Sequence, residues 1–260
     1  MNEQLRAAQR ASGRRKVFIE LFAGSGRLAT HLQQISGHAC LQIDVKHSAS
    51  HDLCRDTPVQ VVQGWIRSGF VKGVWIGFPC STWSRARLPA LRSNEHLYGI
   101  PQMLQQASNK QLVHIGNRTL RAAGIVAHTC LACRVPCILE NPATAMSWST
   151  RTTQRLMAHR AAQSVVLDYC QYGERWRKRT RLLCLNTPQA MRLRRICTGR
   201  HGLCSRTGLH HIVLRGSAPG SSTCWTRTAE AYPSKLSKAA AAVLFNASES
   251  HELNRLYRFV

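Results

Sequence analysis

One alternation constrains this chain more than anything else in it: short apolar runs of β-forming residues separated by segments of helical period, repeated from residue 16 to residue 185. Lys16 to Leu21 (KVFIEL) reads as a strand ending in a glycine loop, and Arg27 to Ser36 as a helix closed by Gly37. Ala39 to Asp44 is a second strand, Thr57 to Ser68 a helix, and Phe70 to Gly77 a third strand running into Pro79 and Cys80. Asn109 to Arg134 reads as a helix, Pro136 to Glu140 as a strand and Thr152 to Arg160 as a short helix. The strands Gln163 to Tyr169 and Thr180 to Leu185 complete the series. Strands alternating with helices predict a Rossmann-like α/β fold, a mostly parallel sheet with helices on both faces. Ligands of such sheets gather at the C-terminal ends of the strands. The glycine loop, Asp44, Cys80 and Glu140 all fall at such ends.

Charge narrows the partner. The 260 residues carry 36 Lys+Arg against 12 Asp+Glu, a formal net charge of +24, and 29 of the basic residues are Arg. At 44% hydrophobic content the chain builds a core, unlike a disordered basic tail. Guanidinium forks suit bidentate contacts to phosphates and base edges, so nucleic acid is the expected partner. No run of about 18 apolar residues is present for a membrane span. From Arg175 to Ala229 there are twelve Lys/Arg and no Asp or Glu. The division expected is a basic N-terminal arm over 1–15, a catalytic domain over 16–187, a small basic subdomain over 188–229 and a closing helix in 230–260. Eleven cysteines, an odd number, without a signal-peptide pattern fit a reducing intracellular compartment; with nucleic acid as the expected partner it is expected to be nuclear or nucleoid-associated, an organelle being the alternative.

Four motifs give the resemblance to a family. Glu20-Leu21-Phe22-Ala23-Gly24-Ser25-Gly26 resembles the S-adenosylmethionine loop DLFAGxG of the cytosine-C5 DNA methyltransferases. Phe78 to Ser84 (FPCSTWS) resembles their nucleophile loop PPCQGFS, with Ser81 standing where the family has glutamine. Glu140-Asn141-Pro142 resembles ENV, and Asp168 to Leu183 (DYCQYGERWRKRTRLL) resembles DYGxPQxRxR, with Arg179 and Arg181 in the arginine positions. Arg227 to Leu236 resembles the late motif before the closing helix, with Tyr232 and Pro233 at its centre.

The resemblance implies a class I methyltransferase fold, S-adenosylmethionine as cofactor and DNA as substrate. It makes Cys80 the nucleophile at cytosine C6, Glu140 the partner of N3 and the exocyclic amine, and Arg179 and Arg181 the holders of base carbonyl and phosphate. Glu20, Phe22, Ala23, Gly24, Ser25, Gly26, Asp44 and Pro79 form the expected cofactor site, with Asp44 accepting ribose hydroxyls. Arg85, Arg87, Arg175, Arg177 and Lys178 are the expected nucleic-acid contacts, with Arg92 following in the same loop as Arg85 and Arg87. Arginines near Cys80 are expected to favour its thiolate. An RNA cytosine methyltransferase and a non-catalytic nucleic-acid-binding protein on the same fold are the alternatives.

Two cysteine groups remain. Cys130, Cys133 and Cys137 run from a helix end into a buried strand and are expected in the core. Cys184, Cys197, Cys204 and His210 or His211 have the ligand types of a zinc site in a segment short of apolar residues.

Overall fold

The computed structural model describes residues 1–214 and 229–256, with side chains to residue 250. The expected segments of the basic subdomain at 215–228 and the terminus at 257–260 lie outside the described residues. The elements in chain order are α1 (Asn2–Ser12), β1 (Val17–Leu21), α2 (Arg27–Ser36), β2 (Cys40–Ile43), α3 (Asp56–Arg67), β3 (Val71–Ile76), α4 (Ala107–Ala132), β4 (Cys137–Pro142), α5 (Arg151–Met157), β5 (Ala162–Asp168), β6 (Arg179–Leu185) and α6 (Ser234–Leu256).

The strands form one six-stranded sheet in the order β2-β1-β3-β4-β6-β5. The pairs β1–β2, β1–β3 and β3–β4 are parallel. β6 alone runs against the others, inserted between β4 and β5 and antiparallel to both. β1 and β3 are buried along their whole length, as strands covered on both faces must be. One face carries Val59, Trp65, Leu120, Ala123, Val126 and Leu156 from α3, α4 and α5. The other carries Leu28 and Leu32 of α2 and Leu236, Ala240 and Leu244 of α6, packed on Phe18, Trp75, Ile138 and Leu182. This is the expected α/β sheet with helices on both faces. Among the described residues no helix is long and apolar enough to cross a membrane.

The N-terminal segment departs from the expected arm. Residues 2–12 form the helix α1, which buries Leu5 and ties Asn2 Oδ1 to the Trp65 indole at 2.8 Å. Its arginines, Arg6 and Arg10, stay exposed, as do Arg14 and Arg15 after it.

Candidate functional site

The chain passes from β1 outward to β2 and then returns to the other side of β1 at β3, which opens a crevice at the C-terminal ends of these strands. Into it runs the loop 22–26. Phe22 holds φ +57, a left-handed conformation that costs a bulky residue about 1–3 kcal/mol, and its N–H is tied to Ile43 O at 2.8 Å. Gly26 also has positive φ, and a Cβ there would collide with the Gln42 side-chain amide. Asp44, after β2, accepts the Gly24 N–H at 2.9 Å on one oxygen and the Lys46 N–H at 2.8 Å on the other. The buried Glu20 accepts the Ala29 N–H at 2.9 Å through Oε2, while its Oε1 has no partner among the described residues. Burial pushes the Glu20 carboxyl up to about 7, against the pull of the Ala29 N–H, and the Asp44 charge adds to the rise. The structure therefore gathers Glu20, Phe22, Gly24, Gly26 and Asp44 around one loop.

β3 and β4 lie side by side and deliver Cys80 and Glu140. Asn141, fully buried, donates to Phe78 O at 2.9 Å and so anchors the loop that carries Pro79 and Cys80. That loop closes on itself through Trp83 N and Ser84 N, each 2.9 Å from Cys80 O. Cys80 is half-buried, and Pro79 and Ser81 are exposed. Burial raises the Cys80 thiol; Lys178 opposes the rise, while Glu140 and Glu230 reinforce it. Lys178, rather than an arginine of the loop, is thus the cation that favours the thiolate.

Glu140 accepts from Thr180 Oγ1 and, at 3.2 Å, from the Tyr232 hydroxyl, which itself accepts the Trp75 indole N–H at 3.2 Å. Tyr169 is fully buried beside this group, its hydroxyl without a partner among the described residues and its ring 4.9 Å from Lys178 Nζ. Burial and the Glu140 charge push both tyrosine hydroxyls well above their ordinary value. Tyr169 lies within the quoted DYC motif, yet nothing in the sequence pattern singles it out.

The arginines do not converge as expected. Asn141 pairs with Arg181 in the β4–β6 register and Glu140 with Leu182, so the Arg181 side chain leaves the sheet on the face opposite Glu140. There it lies 5.7 Å from the Trp148 ring and donates to Met157 Sδ. Arg179 forms a two-pronged pair with the buried Asp168, both contacts 2.9 Å, and Arg177 approaches the same carboxylate at 3.4 Å. Despite burial, which alone would raise it, Asp168 is held below the usual carboxylate range by these partners.

Arg92 is turned inward: it is buried, stacks 3.5 Å over the Trp83 ring and donates to Thr82, Leu97, Val113 and Asn117, supporting the loop that follows Cys80. Arg85 is exposed, bound to Thr144 O and Asn94 Oδ1; Arg87 is half-buried, and Arg175 is exposed.

The thiol cluster also differs from the expected one. Cys184 lies in β6 between Ile138 and Gln163, fully buried, and burial pushes its thiol up to about 12. Among the described residues, the group able to hold a metal is Cys170, Cys197, Cys204 and His211, whose ligand atoms all lie within 4.8 Å of one another. His210 instead bridges to Leu203. Cys170 stands where the quoted family motif has glycine, the one sequence signal that marked it. Of the other cysteine group, Cys130 and Cys137 are buried as expected, whereas Cys133 is exposed.

No protein-family model matches the chain, and no curated protein matches it. Fold and site define an α/β protein with a Rossmann-like sheet, a glycine loop at its switch point and a half-buried cysteine beside a buried glutamate.

Proposed function

We propose that this protein is a DNA cytosine-C5 methyltransferase that uses S-adenosylmethionine and works through a covalent adduct on Cys80. One observation carries the reading: the cysteine and the glutamate of the quoted motifs end adjacent parallel strands and are tied together through Asn141, with β1, which leads into the glycine loop, paired to the other side of β3. The residues suit the cofactor. Each Asp44 oxygen accepts one N–H, which leaves acceptor capacity for ribose hydroxyls, and a strained Phe22 in a glycine loop is the kind of outlier that collects at ligand sites. When bound, S-adenosylmethionine supplies an electrophilic methyl group. Zinc is the metal of the Cys170–Cys197–Cys204–His211 group in this reading, and its role there is structural.

Cytosine C5 is a poor nucleophile, so the work of the chain is to change that. The Cys80 sulfur, as thiolate, adds to C6; the C5–C6 π pair becomes available at C5, while N3 takes a proton held by Glu140. Thr180 donates to one Glu140 oxygen and Tyr232 to the other, which fixes the plane of the carboxyl. Once C5 carries the methyl group, loss of the C5 proton to a base and expulsion of Cys80 Sγ restore the aromatic ring, and N3 returns its proton. A target inside a duplex must first leave the stack.

A second reading, a nucleic-acid-binding protein without methyl transfer, is favoured by one finding: Arg181 faces away from Glu140. One experiment separates the two. The protein is incubated with S-adenosylmethionine and 5-fluorocytosine DNA, whose C5 cannot release a proton, so that the adduct persists. A covalent complex mapping to Cys80 and absent in Cys80→Ala supports the proposal. Binding of the DNA with no adduct supports the second reading, and an adduct formed with 5-fluorocytosine RNA alone moves the substrate to RNA.

A further inference from the structure

Between residues 197 and 214 the only buried side chains are Cys197 and Cys204. With Cys170 they form a core cluster of their own that contains no aliphatic or aromatic side chain. A segment without apolar filling does not hold a fold by burial and needs a staple. The three sulfurs and the His211 imidazole supply the donors of one: Cys197 Sγ lies 3.7 Å from His211 Nε2, and all four ligand atoms fall within 4.8 Å. In a tetrahedral zinc site, bond lengths near 2.3 Å to sulfur and 2.0–2.1 Å to nitrogen put neighbouring ligand atoms about 3.5–3.8 Å apart. Hydrogen-bond donors already face the sulfurs. Ser205 donates to Cys197 Sγ from N at 3.4 Å and from Oγ at 3.6 Å, and Gln171 Nε2 reaches Cys170 Sγ at 3.6 Å and Cys204 Sγ at 3.7 Å. Such donors stabilise thiolates bound to a cation and fix their orientation.

The cluster is mechanically joined to the arginines. The backbone N–H of Cys197 donates to Asp168 Oδ2 at 2.8 Å, and Arg177 Nη2 donates back to Cys197 O at 2.9 Å. Asp168 is the carboxylate that grips Arg179, and it precedes the ligand Cys170 by two residues. Arg206 Nε closes the ring on Cys170 O at 2.6 Å.

We propose that Cys170, Cys197, Cys204 and His211 bind one structural zinc ion, and that this ion, through the backbone of Cys197, holds Asp168, Arg177 and Arg179 in the arrangement that meets the phosphate backbone. The metal half stands apart from methyl transfer. The arginine half rests on the nucleic-acid reading above.

Metal content is measured first, by mass spectrometry of the full chain as purified, followed by replacement with cobalt(II). One zinc per chain is expected, together with the visible bands of a tetrahedral cobalt–thiolate site. Cys170→Ser and Cys204→Ser lose the metal, His211→Cys keeps it, and Cys184→Ser keeps it. A metal-free chain carrying a disulfide between two of the three cysteines overturns the site, as does loss of metal in Cys184→Ser with retention in Cys170→Ser. The second readout is the salt dependence of binding to a short DNA duplex, where each phosphate contact contributes a slope of about 0.9. Zinc-free protein, made by chelation so that no variant has to fold, is expected to lose the same slope as the Arg177→Ala/Arg179→Ala double variant and to bind at least about tenfold more weakly at physiological salt. An unchanged slope with zinc removed overturns the arginine half and leaves the metal site standing. Absence of methyl transfer with zinc bound bears on the proposed function alone.

Discussion

Tyr232 donates its hydroxyl to Glu140 Oε2 at 3.2 Å, joining the chain two residues before α6 to β4 across 92 positions of sequence. The Tyr232 hydroxyl oxygen itself accepts the Trp75 indole N–H at 3.2 Å and sits where a side chain on Gly77 would go. Gly77 is therefore the residue that leaves room for the hydroxyl. Gly77→Ala is expected to push Tyr232 away, leave Trp75 Nε1 without its acceptor and destabilise the fold by about 1–3 kcal/mol, the cost of overpacking or of an unpaired buried donor. Tyr232→Phe removes the hydroxyl without adding bulk and is expected to cost a similar amount. Denaturant titration measures both, and a Gly77→Ala variant as stable as the parent contradicts the account.

Arg92 is expected to behave as a core residue. Its guanidinium makes five hydrogen bonds beneath Thr82 and Trp83, and burial draws its pKa down to about 10, well above neutrality, so it stays charged. Arg92→Met strands the carbonyls of Thr82, Leu97 and Val113, at an expected cost of about 3–5 kcal/mol for a broken buried network. The salt slope of nucleic-acid binding is expected to stay unchanged. A lost slope with unchanged stability makes Arg92 a phosphate contact after all.

The strands were legible because a sheet covered on both faces demands near-continuous apolar runs, and VFIEL, VKGVWI and the CIL of CILENP are such runs, each broken by at most one charged residue. What an apolar run does not encode is direction. Nothing in RTRLLCL says that β6 inserts antiparallel between β4 and β5, or in which register, and it is the register, with Arg181 opposite Asn141, that makes Arg181 and Glu140 face opposite ways. Helix α1 was hidden for a different reason: it buries a single leucine, Leu5, so its apolar stripe is drowned by charge. The thiol–imidazole cluster was half legible. Cys197, Cys204 and the His210–His211 pair marked the place, but Cys170 lies 27 positions before Cys197 on the far side of β6, a distance no local spacing rule spans.

The Cys80 thiol is expected to react slowly with alkylating agents at neutral pH, because burial raises it and only Lys178 among the named charges pulls it down. Replacing Lys178 with Met removes that pull and is expected to slow alkylation at a given pH. Glu230→Gln removes a nearby negative charge and is expected to speed it. Each change is expected to be roughly two- to tenfold, the size of one charge acting across several ångströms near a protein surface. Peptide mapping of iodoacetamide-labelled protein between pH 7 and pH 9 follows the rate at this one cysteine. Equal rates in the parent and both variants rule out the electrostatic account.

Glu20 makes stability depend on pH in the direction opposite to an ordinary ion-paired acid. Its carboxyl is raised from 4.5 to about 7 in the folded chain, chiefly by burial. Below pH 4.5 it is neutral in folded and unfolded chains alike, and its contribution to stability is fully present. Between 4.5 and 7 the unfolded chain ionises first, so stability falls as pH rises; above 7 both are ionised and the loss is complete. A rise of about 2.5 pKa units corresponds to roughly 3 kcal/mol at about 1.4 kcal/mol per unit. Glu20→Gln still offers an oxygen to the Ala29 N–H but does not titrate. Its melting temperature relative to the parent is therefore expected to climb between pH 4.5 and pH 8 by several degrees, at about 2–4 °C per kcal/mol for a chain of this size. A difference that stays constant with pH means that the carboxyl is ionised throughout and that its second oxygen has found a partner.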